Sequence, residues 1–242
     1  MNPLWLLALI LGLGGMALLS WSIKALDAPG AAAAFGMGLV IVLTTHVGWL
    51  VLLVSFTAIS VIATKVGQST KEARKAAEAR GGERGIRNVL ANGLAAMFMV
   101  LFIPWTGELA AALAFATAVA AVTADTMASE IGALSARTRR ITPPFSLLRP
   151  GQNGGVSWLG QFASLSGAIL IAGLAVLLLD VPRDLAWVPA VAGFLGCQWD
   201  SIMGALWERN GEEPEAGRPL TKEDVNFLAS LSPAVVVLIL FA

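Results

Sequence analysis

Stretches of apolar residues alternate with short polar connections along the whole chain. A membrane-crossing helix needs roughly 17–25 mostly apolar residues, because each residue rises 1.5 Å through about 30 Å of hydrocarbon. Eight stretches are candidates: Leu4–Ile23, Ala31–Thr44, Val47–Ala63, Asn88–Ile103, Leu109–Ser129, Ser157–Leu179, Leu185–Leu206 and Val225–Phe241. The second and fourth are short, so a tilted or re-entrant segment stays open at either. The pattern predicts an all-α, polytopic helical membrane protein with seven or eight transmembrane helices.

The basic residues give this bundle a predicted orientation. With eight spans, fifteen of the sixteen Lys and Arg residues fall on one side of the membrane, and only Arg183 falls on the other. The fifteen are Lys24, in the connection after the first span, and the basic residues of the loops at 65–87, 131–156 and 207–224. Because basic loops stay in the cytoplasm, we expect these loops on the cytoplasmic side of the cell membrane and both termini on its outer side. The run Lys71–Arg80 alternates in sign at helical spacing, which predicts a solvated helical arm.

Composition narrows the functions that such a chain can have. Its 242 residues are 57% hydrophobic and 13% charged, with a mean hydropathy of +0.76, which is too apolar for a water-soluble domain. Lys+Arg and Asp+Glu both number 16, so no basic excess favours nucleic acid. The single Cys197 and single His46 exclude an internal disulfide and a zinc site of Cys and His ligands. We expect one integral membrane domain over residues 1–242, and its oligomeric state stays open.

Acidic side chains inside predicted spans are costly, so by default they mark a functional site. Asp125 and Asp200 lie near inner helix ends, with Ser129 on the same face as Asp125 and Ser201 next to Asp200. Glu130 diverges from Asp125 by about 140°, so the two meet one ligand only if the helix frays or two ions bind. Carboxylates beside hydroxyls suit Mg²⁺ carried on nucleotide phosphates. The alternative is a buried Asp hydrogen-bonded to neighbouring helices.

A glycine-rich loop, Pro150–Ser157, precedes the sixth span. Consecutive glycines let backbone N–H groups turn toward one anion, and the positive end of the following helix adds to the attraction. Asn153, Gly154 and Gly155 are therefore candidates for binding nucleotide phosphates. The alternative is an ordinary loop with Ser157 as the helix N-cap.

Basic and amide side chains mark the entry of the fourth span and two nearby helix ends. Asn88 and Asn92 share a helix face, and Arg87 could grip phosphate with its planar guanidinium group. Lys65 ends the third span, and Arg140 follows the fifth. The alternative is that these cations snorkel or meet anionic lipid, and that the Asn side chains cap a helix.

Motifs of soluble enzymes are absent from the sequence. It contains no Gly-x-x-x-x-Gly-Lys-Ser/Thr phosphate loop, no Gly-x-Gly-x-x-Gly after a strand, no His-Glu-x-x-His and no Gly-x-Ser-x-Gly. A soluble-type kinase, dehydrogenase, zinc protease or serine hydrolase is therefore excluded.

Four runs together resemble one known family. They are Arg87–Gly93 (RNVLANG), Ala124–Gly132 (ADTMASEIG), Gln152–Ser157 (QNGGVS) and Asp200–Ala205 (DSIMGA). Their order and spacing, with Asn226 in the last span, are similar to the integral-membrane family that includes plant and cyanobacterial phytyl-phosphate kinase and eukaryotic transmembrane protein 19, over roughly residues 36–240. The chain departs from the family pattern in Gln152, where Thr is usual, and in Met127, where Trp commonly follows Asp-Thr.

This resemblance implies transfer of a phosphoryl group, with CTP as the expected donor and Mg²⁺ as the metal, to a prenyl monophosphate lipid such as phytyl or geranylgeranyl monophosphate. For this reaction, the carboxylates predict a metal and catalytic site at Asp125, with Glu130 or Asp200. The implied substrate-binding residues are Asn153, Gly154 and Gly155 for the nucleotide, Arg87, Asn88 and Asn92 for the acceptor or the triphosphate, with Ser129, Ser201, Lys65 and Arg140 beside them.

Two other functions stay open at this point. A CTP-dependent lipid cytidylyltransferase would use the same site but would release pyrophosphate and leave a CMP-linked lipid. A lipid or ion transporter would use the intramembrane carboxylates as a coupling site. A carrier needs polar groups near the bilayer midplane, however, whereas the polar groups of this chain gather at one side.

Overall fold

The computed structural model describes residues 3–77, 82–209 and 217–242, and most of this part is helical. Its α-helices are α1 (Pro3–Ser22), α2 (Ala28–Thr44), α3 (Val47–Lys65), α4 (Gln68–Ala73), α5 (Ile86–Leu101), α6 (Ile103–Thr106), α7 (Glu108–Gly132), α8 (Trp158–Leu178), α9 (Trp187–Leu206) and α10 (Lys222–Phe241). A 3₁₀ turn at Arg183–Leu185 leads into α9.

Eight of these helices coincide with the eight predicted spans, namely α1 to α3, α5 and α7 to α10. By length and composition, five helices of the described chain could cross a membrane: α1, α3, α7, α8 and α10. Helices α2 and α5, which were the two spans predicted to be short, have 17 and 16 residues. The predicted helical bundle is confirmed, and the number of membrane crossings stays a prediction.

Helix α7 is the centre of the bundle. It packs against α3, α5, α8, α9 and α10, and every side chain from Ala110 to Ala124 is buried. Most of these residues are alanine, and small side chains let helix backbones approach closely where lipid supplies no hydrophobic drive. Gly193 of α9 lies so close to Ala120 that a side chain would not fit between them. The last turns of α7, which carry Asp125, are therefore held on several sides.

Several helices begin at one end of the bundle, which we call the polar end, beside the last turns of α7 and α9. Asp27 caps α2 with a 2.7 Å bond from a backbone N–H, and Ser157 caps α8 with one of 3.1 Å. Thr221 and Asp224 form a reciprocal capping box at the start of α10. These caps satisfy N–H groups that the first helical turn leaves unpaired, so they fix where each helix begins.

A small antiparallel sheet, which the all-α prediction omitted, lies between α7 and α8. Strand β1 (Thr138–Arg140) lies between β2 (Leu147–Leu148) and β3 (Gly155–Val156). Strands of two or three residues are too short to show an alternating pattern in the sequence, which explains the omission. The sheet places the glycine-rich loop against α9, where a side chain at Gly154 would overlap Ala205.

The polar end carries what the structure describes of the three predicted basic loops. Residues 78–81 of the first loop and 210–216 of the third lie outside the described residues. At the opposite end, His46 caps α3 by accepting a 3.2 Å hydrogen bond from the N–H of Gly48, a role the sequence did not predict. The side of the membrane that the polar end faces, and the single domain, stay predictions.

Candidate functional site

Two adjoining clefts open at the polar end. The small cleft, of about 160 Å³, lies between the ends of α7 and α9, the start of α10 and the glycine-rich loop. The large cleft, of about 540 Å³, lies between the starts of α5 and α10, the end of α7 and the connection from α1 to α2. Residues from six separate connections and helix ends thus surround one region.

Four residues line both clefts and form the wall between them: Asp125, Ser129, Lys222 and Asn226. Asp125 and Ser129 are four residues apart on α7, and Lys222 and Asn226 are four apart on α10, so each pair presents one helix face. A carboxylate, a hydroxyl, an ammonium and an amide therefore meet at the boundary between two polar spaces.

The carboxyl groups of Asp125 and Asp200 lie within hydrogen-bonding reach of each other. Asp200 lines the small cleft, and Asn226 donates to its Oδ2 at 3.3 Å when the amide nitrogen faces the two nearby acceptors. Along the helix axes, Asp125 lies about 10 Å before the end of α7, and Asp200 about 9 Å before the end of α9. Two carboxylates this close repel each other unless a proton or a cation lies between them.

The chemistry of this pair fits a Mg²⁺ ion bound together with phosphates. Mg²⁺ prefers oxygen ligands, and in phosphoryl-transfer enzymes one or two carboxylates hold it while substrate phosphates and water complete the shell. Asp125 and Asp200 supply two carboxylates, with the hydroxyls of Ser129 and Ser201 in the same lining. Among the described residues, no three His, Cys, Asp or Glu side chains group together as a metal site. A metal held by this pair would complete its shell with hydroxyls, water or substrate phosphates.

Glu130 lines the large cleft but does not join this carboxyl pair, which corrects its prediction as a ligand of the same ion as Asp125. Helix α7 continues without fraying to Gly132, so Glu130 diverges from Asp125 as the helix geometry requires. Glu130 Oε2 lies 2.6 Å from Lys71 Nζ, and its Oε1 accepts a hydrogen bond from Thr64 at 2.8 Å. Both carboxylate oxygens thus have protein partners, and the negative charge is neutralised inside the protein.

Lys71 is buried, which corrects the prediction of a solvated arm at this residue, whereas Glu72, Arg74 and Lys75 are exposed as predicted. Besides Glu130, its ammonium group donates to the carbonyls of Ala63 at 3.1 Å and Thr64 at 2.6 Å. Three acceptors match the three N–H donors of a lysine. The side chain therefore ties α4 to the ends of α3 and α7; residues 78–80 of the predicted arm lie outside the described residues.

The glycine-rich loop lines the small cleft with Asn153, Gly154 and Gly155. The predicted pair of glycine N–H groups aimed at one anion is only partly present, because the Gly155 N–H already donates to the Gln152 carbonyl at 3.0 Å. Gly154 adopts a φ of +68° beside α9, and Ser157 caps α8, so the ordinary-loop reading accounts for these two residues. Asn153 donates to the Arg209 carbonyl at 3.1 Å.

The start of α5 lines the large cleft with Arg87, Asn88 and Asn92. The predicted common face of the two Asn residues is confirmed, since Asn92 Nδ2 donates to the Asn88 carbonyl at 2.8 Å and to its Oδ1 at 3.2 Å. Arg87 is exposed at the rim. One guanidinium group and two amides thus face the large cleft.

Lys65 and Arg140 lie outside the linings of both clefts. Lys65 is exposed at the end of α3. The Arg140 guanidinium donates to the Thr142 hydroxyl at 3.1 Å and to the Ala205 carbonyl at 2.5 Å, where it interacts with the negative end of α9. The structure thus gives Arg140 a contact within the fold instead of the predicted substrate contact.

Sequence reasoning missed Lys222 and Glu208 as site residues. Glu208 lines the small cleft, and burial, together with the nearby charges of Asp125 and Glu223, raises its pKa to about 7 even though Lys222 opposes the shift. For Lys222 the available signal was its position four residues before Asn226 on α10. Glu208 lies beyond the end of α9, so helical spacing from Asp200 does not indicate it.

Comparison with known sequences places this chain among membrane proteins. The family model described as "Integral membrane protein DUF92" matches residues 11–234. An uncharacterised membrane protein of Methanocaldococcus jannaschii is 31% identical over 227 residues, which are 93% of this chain and 90% of the relative. No solved structure matches the chain.

Two plant relatives are also similar. The chloroplast protein VTE6 of Arabidopsis thaliana is 28% identical over 222 residues, which are 89% of this chain and 66% of VTE6. Protein PGR of the same plant is 31% identical over 218 residues, which are 79% of this chain and 75% of PGR. The resemblance drawn from the four sequence runs is confirmed. The prediction that the chain is a multi-pass integral membrane protein is confirmed as well.

Proposed function

The chain belongs to the integral membrane protein DUF92 family, and we propose that it is a Mg²⁺-dependent prenyl-phosphate kinase acting at the polar end of its bundle. The resemblance of the four sequence runs to the family of phytyl-phosphate kinase, together with the similarity to VTE6, supports a prenyl monophosphate as the acceptor. The donor is a nucleoside triphosphate, for which CTP is our first candidate. We place the polar end in the cytoplasm, where nucleotides are found.

The observation that supports this function most is the wall shared by the two clefts. A kinase whose acceptor is already a phosphate must hold two anionic substrates on either side of one point. Asp125, Ser129, Lys222 and Asn226 lie where the small and large clefts adjoin. One cleft can hold the phosphates of the donor while the other holds the acceptor phosphate.

The proposed reaction makes one P–O bond and breaks one. An oxygen of the acceptor monophosphate attacks the γ-phosphorus of CTP, the bond from that phosphorus to the β–γ bridging oxygen breaks, and CDP leaves with the bonding electrons. The second pKa of a phosphate monoester is about 6, so the acceptor is already ionised near neutral pH and needs no general base. The site therefore needs positioning and charge neutralisation more than proton transfer.

The residues divide these tasks by their chemistry. Asp125 and Asp200 would hold Mg²⁺, which, when bound, neutralises the charge of the transferring phosphates. Lys222 lies at the wall and is near enough to interact electrostatically with Asp200, so its ammonium can approach either substrate. Arg87 offers planar hydrogen bonding to a phosphate at the rim of the large cleft. Asn226 orients Asp200 through their hydrogen bond.

Product analysis tests the proposal. Purified full-length protein in detergent is incubated with CTP, Mg²⁺ and geranylgeranyl monophosphate, and the products are identified by mass. The prenyl diphosphate with CDP supports the kinase. A CMP-linked lipid with pyrophosphate would identify a cytidylyltransferase instead. Absence of any nucleotide-dependent product with phytyl or geranylgeranyl monophosphate, using CTP or ATP, would refute the enzymatic function.

A further inference from the structure

An apolar groove runs along the bundle between α1, α2, α3 and α5. Its volume is about 130 Å³, and most of its lining consists of aliphatic, aromatic and methionine side chains. Representative residues of the lining are Leu13, Met16, Phe35, Met37, Leu50 and Phe56. Helix α1 forms one side of the groove and exposes most of its other residues, so the groove is accessible from the lipid-facing surface.

The groove is continuous with the large cleft. Arg84, Asn88 and Asn92 line both spaces, so the apolar channel ends at one guanidinium group and two amides. Asn92 is buried at this junction. The large cleft then continues from the junction to Asp125. A ligand with an apolar chain and an anionic head would therefore find matching chemistry along one path.

The groove is narrow. On α3 its lining runs from Leu50 to Thr57, about 10 Å along the helix axis, compared with about 30 Å for a whole hydrocarbon core. Its floor has no space to spare, because a side chain at Gly38 would meet Leu13 at 2.8 Å and one at Gly93 would meet Met37 at 2.7 Å. A volume of about 130 Å³ encloses only part of one prenyl chain, so the rest of the chain would lie along the lipid-facing side of the groove, and two phospholipid chains would not fit side by side.

We propose that this groove binds the hydrocarbon chain of the prenyl monophosphate acceptor, with its phosphate at Arg84, Asn88 and Asn92. The inference rests on the proposed function and adds the position of each substrate to it. The acceptor phosphate enters the large cleft from the membrane side, and the nucleotide phosphates occupy the small cleft beside the glycine-rich loop. Transfer takes place across the wall at Asp125.

Photolabelling tests the occupant of the groove without any need for activity. The full-length protein in phosphatidylcholine vesicles is irradiated with a diazirine-bearing prenyl monophosphate of geranylgeranyl length, and labelled residues are mapped by mass spectrometry. We expect labels at groove residues such as Met16 and Met37, and at least a fivefold loss of label with excess geranylgeranyl monophosphate. Labels that are spread over the outer face of α1 and α2, or that do not respond to competitor, would overturn the proposal.

A matched pair of substitutions on α2 tests the same groove by kinetics. Ala34 lines the groove, whereas Ala32 is exposed on the same helix outside the lining. Ala34→Phe should raise the KM for geranylgeranyl monophosphate at least tenfold and leave the KM for CTP and the turnover of the short acceptor dimethylallyl monophosphate unchanged. Ala32→Phe should behave as wild type with every substrate.

The outcomes separate this inference from the proposed function. If the wild type forms prenyl diphosphate but Ala34→Phe and Ala32→Phe affect both acceptors alike, the groove assignment is wrong and the kinase function stands. If the wild type forms no diphosphate, the kinase function is wrong, and the competed photolabel alone decides whether the groove binds a prenyl phosphate. Thermal unfolding of both variants shows whether each one folds. If either variant fails to fold, photolabelling of the wild type decides whether the groove binds the prenyl chain.

Discussion

Two acidic residues near the end of helix α7 have opposite surroundings. Asp125 lies beside a second carboxyl group, that of Asp200, at the wall between two polar clefts. Glu130, five residues later, is paired with Lys71, and their side chains are 5% and 1% exposed. In the second case one buried lysine neutralises the carboxylate, whereas in the first two carboxyl groups lie together at a wall that Lys222 also lines. The comparison shows that Glu130 is buried in an ion pair, whereas Asp125 is half-buried, lies beside a second carboxyl group and lines both polar clefts.

The largest effect is expected from removing the charge at Asp125. The Asp125→Asn variant should lose activity by on the order of 10³-fold, because a metal that stabilises the transferring phosphates contributes several kcal/mol to the transition state. Rates of diphosphate formation measure the loss. Its thermal unfolding should match that of the wild type or exceed it, because the substitution relieves repulsion with Asp200. An Asp125→Asn enzyme that retained a tenth of wild-type activity would contradict the role of this pair.

The next effect concerns stability rather than activity. Glu130→Gln leaves the buried Lys71 charge without its partner and should lower the free energy of unfolding by about 3–5 kcal/mol. The double variant Lys71→Met with Glu130→Gln removes both charges and should recover much of that loss. Denaturant unfolding in detergent compares the three proteins. Activity per folded molecule of the double variant should stay within about tenfold of wild type. A loss of activity as large as that of Asp125→Asn would contradict the distinction between the carboxylates of Asp125 and Glu130.

A smaller effect is expected from the glycine-rich loop. Gly154→Ala places a side chain at φ +68° and against Ala205, so the loop must shift away from α9. We expect the KM for CTP to rise about tenfold, with an unchanged KM for the prenyl acceptor. Gly107→Ala is the matched control, because Gly107 has φ +82° with open space around it and lies away from both clefts. Equal effects of the two substitutions on the KM for CTP would remove this loop from the nucleotide site.

The smallest effect is a pH dependence that arises from Glu208. Its pKa of about 7 lies above the ordinary value of 4.5 because of burial, so between these values the native protein holds more protons than the unfolded chain. Its contribution to the free energy of unfolding therefore decreases as the pH rises through this range. Glu208→Gln should flatten the decrease in thermal stability between pH 5 and pH 8, whereas Glu108→Gln at the opposite end should leave it as in wild type. A wild-type slope in Glu208→Gln would contradict this assignment.

Much of the fold could be predicted from the sequence because bilayer thickness dictates helix length. The eight apolar stretches became helices, and their bounds shifted by a few residues where caps such as Asp27 and Thr221 set the first turn. The short strands could not be predicted, since β2 and β3 have two residues each and depend on pairing with β1. Pairing partners distant along the chain leave no local pattern.

The site was predictable where spacing along one helix decides the geometry. Asn88 with Asn92 and Asp125 with Ser129 follow directly from a helical repeat of 3.6 residues. The partner of Glu130 was not predictable, because Lys71 lies 59 residues earlier in a connection that looked solvated. Charged pairs between separate elements depend on tertiary packing, which the sequence of either element does not contain.

The most direct test of the contrast between the two carboxylates is the binding of Mn²⁺, as a spectroscopic substitute for Mg²⁺, measured by electron paramagnetic resonance in the presence of CTP. We predict tight Mn²⁺ binding to the wild type and to the Lys71→Met, Glu130→Gln double variant, and at least a tenfold weaker affinity in Asp125→Asn and in Asp200→Asn. Unchanged Mn²⁺ affinity in both Asp variants, or its loss in the double variant alone, would contradict the central claim that Asp125 and Asp200 hold the metal and its phosphates.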